Sequence, residues 1–328
     1  MARVGVVVST YRSPLLDRPG AVAATGFDVG VAAHYGDPMR EQRTPGPIDL
    51  SHRGVVRISG PDRLSWLHSL TTQHVEHLGP GSSTEALVLS PNGHVEHALF
   101  AVDDGTAFWA HVEPGTAPAL VEFLESMRFL LQVEVADVSD EFAIVWEPDT
   151  ERHGSYLSRL TDRGREVFVA RSALAGYVGD SPSGVWAHEA RRVAAHQPRL
   201  GVDTDHKTIP HEVGWIGSAV HLDKGCYRGQ ETVARVHTLG RPPRRLVMLH
   251  LDGSAERLPA HCDPVELAGR EVGFVGSAAR HYELGPIALA LVKRTVPVDA
   301  TLVAGGVAAA QEVVVDPDAG LHVRARLG

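Results

Sequence analysis

Eight consecutive residues, Lys224-Gly225-Cys226-Tyr227-Arg228-Gly229-Gln230-Glu231, combine a thiol, two flanking cations, two glycines and an amide–carboxylate pair. Lys224 and Arg228 on either side of Cys226 would favour its thiolate, the form that attacks electrophiles or binds metals and sulfur species. Gly225 and Gly229 permit a sharp turn or a close approach to a ligand. Gln230 and Glu231 offer the donor and acceptor edge that suits a flat heterocycle, and Tyr227 offers a ring to stack on it. Each residue also has a plainer reading. Cys226 can be a small buried hydrophobe, Tyr227 a core anchor, and Glu231 a partner for Arg235 one helical turn later.

From His221 to Arg245 there are six basic residues (Lys224, Arg228, Arg235, Arg241, Arg244 and Arg245) against the acids Asp223 and Glu231, a local excess of +4 in a chain at −9. Such an excess suits one anionic ligand, with Arg235 and Arg245 as bidentate carboxylate partners. The alternative is a solvated basic face on a strand and its turn. A chain at −9 with a pI near 6.1 lacks the broad positive surface that direct tRNA binding requires, so that reading ranks last.

The elements that must position these residues are short. With 328 residues, 43% of them hydrophobic and 22% charged, two or three folded domains are expected. The 33 glycines and 21 prolines favour sheet-rich or α+β architecture over long helices. Two cysteines form no disulfide framework and have no Cys-x-x-Cys partner, which fits a reducing, cytoplasmic setting. Cys262 reads as incidental. The start, Met1–Thr10, reads as a strand or loose arm rather than a signal segment, and no stretch has the apolar length to span a bilayer. Among 19 histidines the closest pairs are His74-x-x-His77, on an expected helix, and His94-x-x-His97; neither has a third ligand at good spacing, so no metal is expected.

Residues 1–45 form an N-terminal arm ending at Thr44-Pro45-Gly46-Pro47. In the next unit, 46–140, a strand at Gly54–Gly60 precedes a helix from Pro61-Asp62 carrying Leu64, Leu67, Leu70, Val75 and Leu78 on one face. A meander follows (Glu85–Ser90, Val95–Val102, Ala107–Val112), then a helix marked by Leu120, Phe123, Leu124 and Met127, and the strand Val133–Val138. That order suggests a ferredoxin-like α+β layer. A second unit, 141–241, has strands at Phe142–Trp146 and Val167–Ala170, a helix over Trp186–Ala195, and a surface segment, Gln197–Lys224, ahead of the thiol motif. From 242 to 328, short strands at Arg244–Leu251, Glu271–Ser277, Ile287–Lys293, Thr301–Val303 and Glu312–Val315 read as a small barrel.

The thiol motif, with Ala234-Arg235 and Arg244-Arg245-Leu246 behind it, resembles the signature of YgfZ-like folate-binding proteins, in the superfamily of the glycine-cleavage T-protein, an aminomethyltransferase. Asp49-Leu50-Ser51, Gly60-Pro61-Asp62, Leu70-Thr71-Thr72, Arg192-Val193-Ala194 and Gly269-Arg270-Glu271-Val272-Gly273 resemble family landmarks in order. The resemblance implies two ferredoxin-like α+β units and a C-terminal β-barrel around a central channel holding tetrahydrofolate or a one-carbon-substituted folate. It further implies an accessory role in assembling or maintaining iron–sulfur proteins, including tRNA-modifying enzymes, with iron–sulfur clients as partners. In that frame Cys226 is the catalytic candidate, and Lys224, Gly225, Tyr227, Arg228, Gly229, Gln230, Glu231, Arg235 and Arg245 are the folate contacts.

Two departures stand out. Where the T-protein carries paired acids that handle a proton at the folate nitrogen, this chain reads Gly93-His94-Val95-Glu96-His97, with Glu96 alone. A pterin-gripping acid is replaced by alanine within Arg192–Pro198. Both argue against glycine-cleavage activity. A folate-dependent one-carbon transferase or demethylase using Glu96 is the alternative enzyme reading.

Overall fold

The computed structural model describes residues 11–149, 151 and 154–321. They form two compact units, one running through Leu87 and including His97–His188, the other made of Val88–Glu96 and the chain from Glu189 onward.

One five-stranded sheet has the order Ser83–Leu89, Val95–Asp103, Ala107–Val112, Gly54–Ser59, Glu134–Asp137. The strand Gly54–Ser59 pairs antiparallel on both sides, with Val56 opposite Ala110 and Asp137. Helices Arg63–Leu70 and Ala117–Met127 join these strands. Leu67, Leu120 and Leu124 are fully buried, whereas Met127, expected on the same face, is 43% exposed. A second sheet places Ser158–Thr161, Gly164–Ala170, Phe142–Glu147 and Ile48–Asp49 side by side. The strand Ser158–Thr161 escaped the sequence reading because Ser158-Arg159-Leu160-Thr161 carries one apolar residue. Arg159 is nonetheless buried, because Glu166 on the neighbouring strand binds it at 2.7 Å.

Two expectations are corrected here. The helix after Gly60 stops at Leu70: the Thr71 hydroxyl donates to the Leu67 carbonyl at 2.8 Å, and Thr72 turns to pair with Leu87 through two 2.9 Å bonds. Those bonds replace the next helical turn, so His74 and His77 lie beyond the helix while Val75 still reaches the core. Residues 1–10 of the expected arm lie outside the described residues. From Tyr11 the segment carries core residues, with Leu15, Val31 and Ala33 fully buried.

The chain from Arg244 closes into a six-stranded antiparallel barrel: Arg244–Leu251, Gly285–Lys293, Arg270–His281, Pro264–Leu267, Leu302–Ala304 and Val307–Val313, the last pairing back to the first. Val247, Leu249, Val275, Ala288, Ala290 and Val292 fill one core cluster, as alternation along strands requires. The two-faced pattern at Pro264–Leu267 was too short to read from sequence. Among the described residues no helix is long and apolar enough to cross a membrane.

Candidate functional site around the Cys226 loop

The thiol motif belongs to the second unit, as do Ser90, Gly93 and Glu96. Its support is the segment after helix Val185–Ala194, expected to lie across a surface. That expectation is overturned: Val202, Asp203, Thr208, Ile209, Pro210, His211, Glu212 and Trp215 are all buried. Arginines make this possible by satisfying the buried acids. Arg192 binds Glu189 at 2.5 Å and Asp203 at 3.1 Å. Asp203 also accepts from the backbone N–H of Ser277 at 2.7 Å and of Arg199 at 2.8 Å. Ser277 sits at a register shift in its barrel strand, next to Gly276. A Cβ on Gly276 would fall 2.2 Å from the Asp203 carboxylate, so the strand gives way there to admit the acid.

Arg244 makes the second clamp. Its guanidinium donates to both oxygens of Asp205 at 2.6 and 3.0 Å and to both oxygens of Glu212 at 2.8 Å. Asp205 is half-buried, which by itself would raise its pKa, yet Arg244 and neighbouring N–H and hydroxyl donors bring it down to about 2. Arg244, counted from sequence in a basic excess that suited one anionic ligand or a solvated face, is instead spent on the internal acids Asp205 and Glu212.

The motif is tied at both ends. Lys224 is buried, with its ammonium 5.1 Å from the centre of the Tyr227 ring. Tyr227 is itself buried, which pushes its phenol up to about 12 and keeps it protonated. The Gln230 amide donates to the Lys224 carbonyl at 3.4 Å, closing the loop on itself. At the far end Gly229 adopts φ +81° and begins the helix Gln230–Leu239. It needs to be glycine twice over: its φ is left-handed, and a Cβ would meet the Ser90 carbonyl oxygen at 2.6 Å. Gly93 is its counterpart across the contact, with φ +79° and a notional Cβ 2.7 Å from that of Thr232. Two glycines thus let the hairpin turn Ser90–Gly93 press against the start of the helix.

That contact brings Glu96 to Arg228, where Nη1 donates to the carboxylate at 2.9 Å. Cys226 stands exposed between the two anchors. Of the cations flanking it in sequence, Lys224 lies over the Tyr227 ring and Arg228 pairs with Glu96. Gly225 is less constrained than expected, since a Cβ there would meet open space. Glu231 and Arg235 pair with each other at 2.7 Å on the exposed face of the helix, the plainer of their two readings.

Arg245 is fully buried. Its Nη2 donates to the Gln311 side chain at 2.7 Å and the Val296 carbonyl at 3.1 Å, while Nε and Nη1 have no protein partner among the described residues. Burial lowers its pKa. Asp316 offsets part of that effect through its charge, while two of the buried guanidinium donors stay without a hydrogen-bond partner among the described residues. Sequence reasoning missed His211, buried with both ring nitrogens unpartnered among the described residues. Burial, then the neighbouring His237, lowers its pKa to about 4. Nothing in its local sequence marks it, because its burial depends on how the 197–224 segment folds inward.

Residues 244–327 match the glycine cleavage T-protein C-terminal barrel domain. The chain is 27% identical over 285 residues to a chloroplastic transferase-type protein of Arabidopsis thaliana, covering 73% of this chain and 64% of the relative, less than two thirds of its length. It is 27% identical to an aminomethyltransferase of Parasynechococcus marenigrum, covering 77% of this chain and 80% of the relative. It is 25% identical to a mitochondrial iron–sulfur cluster assembly factor homologue of Mycosarcoma maydis, covering 67% and 60%. The fold is that of the glycine cleavage system aminomethyltransferase T from Bartonella henselae, with a TM-score of 0.75 at 17% identity over 91% of this chain and 94% of that one.

Proposed function

We propose that this chain, which is similar to aminomethyltransferases, binds tetrahydrofolate or a one-carbon-substituted folate and acts as an accessory factor in iron–sulfur cluster assembly or maintenance, including that of tRNA-modifying enzymes. The observation that carries the reading is the pairing of Glu96 with Arg228 at 2.9 Å beside an exposed Cys226. Glu96, the lone acid where the superfamily's transferases are expected to carry a pair, is engaged by the Arg228 guanidinium. The thiol is left open to a partner or to a sulfur or iron species.

In this reading Arg245 holds a carboxylate of the folate through its buried donors, and the Lys224–Glu231 loop forms one wall of the site, with Arg235 at its exposed margin. When bound, folate supplies one-carbon chemistry. The chain's own residues bind, orient and exclude water: Tyr227 and Lys224 fix the loop, Gly229 and Gly93 fix the hairpin, and Cys226 handles the cargo. Similarity to an iron–sulfur assembly factor supports the client class.

The test is the activity of an iron–sulfur tRNA-modifying enzyme in cells lacking this protein. The parent gene restores it and Cys226→Ala does not; equal rescue by both would remove the thiol from the account. The similarity to aminomethyltransferases supports a second reading, a folate-dependent one-carbon transferase with Glu96 as base. Turnover of a methylamine donor with tetrahydrofolate, abolished by Glu96→Gln, would favour that reading over ours.

A further inference from the structure

Away from the Cys226 loop, the first unit gathers three metal-ligating side chains. His68 lies in the last turn of helix Arg63–Leu70 and is half-buried; His74 and Glu76 are exposed in the segment that follows. One ligand atom from each lies within 4.8 Å of the other two. The His68 and His74 rings meet edge-on with centroids 4.6 Å apart, and His77 lies 6.0 Å beyond His74. The sequence reading found no third ligand for the His74-x-x-His77 pair because it extended the helix through it. The break at Thr71 instead folds the segment back beside His68.

The segment is held by its backbone. Thr71 and Thr72 are buried and bonded to Leu67 and Leu87. Val75 is fully buried, and the Leu78 N–H closes a turn on its carbonyl at 3.1 Å. A residue pinned in the core leaves its two neighbours, His74 and Glu76, on the exposed side, where His68 joins them.

We propose that His68, His74 and Glu76 form a binding site for a divalent first-row transition-metal ion of the class that takes two imidazoles and one carboxylate, zinc and ferrous iron foremost. Imidazole nitrogens select such borderline ions over calcium and magnesium, which prefer oxygen, and the carboxylate offsets part of the charge. Metal–ligand bonds of about 2.0–2.2 Å place ligand atoms roughly 3–3.5 Å apart, so atoms now within 4.8 Å of one another close by about 1.8 Å at most. Exposed His74 and Glu76 can make that movement by changing rotamer. Three protein ligands leave coordination positions open.

Titration of the full chain with cobalt(II), followed by displacement with zinc(II), tests the site. One equivalent of cobalt should produce visible bands of four- or five-coordinate ion that zinc abolishes. Loss of even an outer partner of a metal ligand costs about ten- to a hundredfold in affinity. His74→Ala and Glu76→Gln should therefore each weaken binding about tenfold or more, with circular dichroism unchanged because both positions are exposed. No saturable binding, or binding unaltered by either substitution, would overturn the proposal.

Discussion

His211 makes the second unit sensitive to acid, by an amount that can be worked out. Its ring is buried with neither nitrogen paired among the described residues, and its pKa falls to about 4 from an ordinary 6.5. The neutral form is therefore favoured in the folded state, and the unfolded chain binds the extra proton between these two values. Stability from this group is fully present above about pH 6.5, declines as the pH falls, and is gone by about pH 4. A shift of about 2.5 units is worth about 3 kcal/mol. His211→Leu removes the titration and an unsatisfied polar ring at once, so it should cost little at pH 7 and flatten the decline below it. Urea unfolding of both proteins at pH 7, 5.5 and 4, read from the buried Trp215 four residues away, measures the difference. Other groups, buried His111 among them, titrate equally in both proteins and cancel. If the two proteins lose stability in parallel between pH 6.5 and 4, the burial argument for His211 fails.

Asp205 adds a separate window at lower pH. Held down at about 2 in the folded state, it contributes stability that is lost only as the pH falls from its unfolded value of about 3.8 through 2. Arg244→Ala, followed by acid titration, should abolish that window. Arg244→Ala should also leave buried Glu212 without its cation and cost about 3–5 kcal/mol at pH 7, with only partial rescue by Arg244→Lys, because an ammonium cannot bridge two carboxylates in the same way. Gly229→Ala should destabilise by about 1–3 kcal/mol through its left-handed backbone alone, and should change the rate at which Cys226 reacts with iodoacetamide by displacing the hairpin. Arg235→Ala, which removes only an exposed ion pair, should shift the unfolding free energy by less than about 0.5 kcal/mol.

Much of this architecture was legible because it rests on local pattern. The meander strands, the helix containing Leu120 and Leu124, and four of the barrel strands follow from alternation and helical spacing close to where the structure has them, whereas the strand expected at Glu312–Val315 runs instead over Val307–Val313. The thiol loop was equally visible from its mixture of residue types. What stayed hidden depends on distant partners. Val75 and Leu78 continued a helical pattern, but Thr72 pairing with Leu87 ended the helix first. The proline-containing 197–224 segment looked like surface until Arg192 and Arg244 were seen to neutralise Asp203, Asp205 and Glu212. Sequence order sets Arg228 and Lys224 on either side of Cys226. Their chosen partners, Glu96 and Tyr227, follow from the Gly229–Gly93 contact, which no single window of sequence contains.

The account stands or falls on whether Arg245 receives a folate. Calorimetric titration of tetrahydrofolate into the parent protein, Cys226→Ala and Arg245→Met tests this directly, methionine filling the buried space without the charge. One site should appear in the parent and in Cys226→Ala with similar affinity. Arg245→Met should bind about tenfold more weakly or worse, the loss of one charge-assisted hydrogen bond. Absence of saturable binding to the parent, or equal binding by Arg245→Met, would contradict the folate reading.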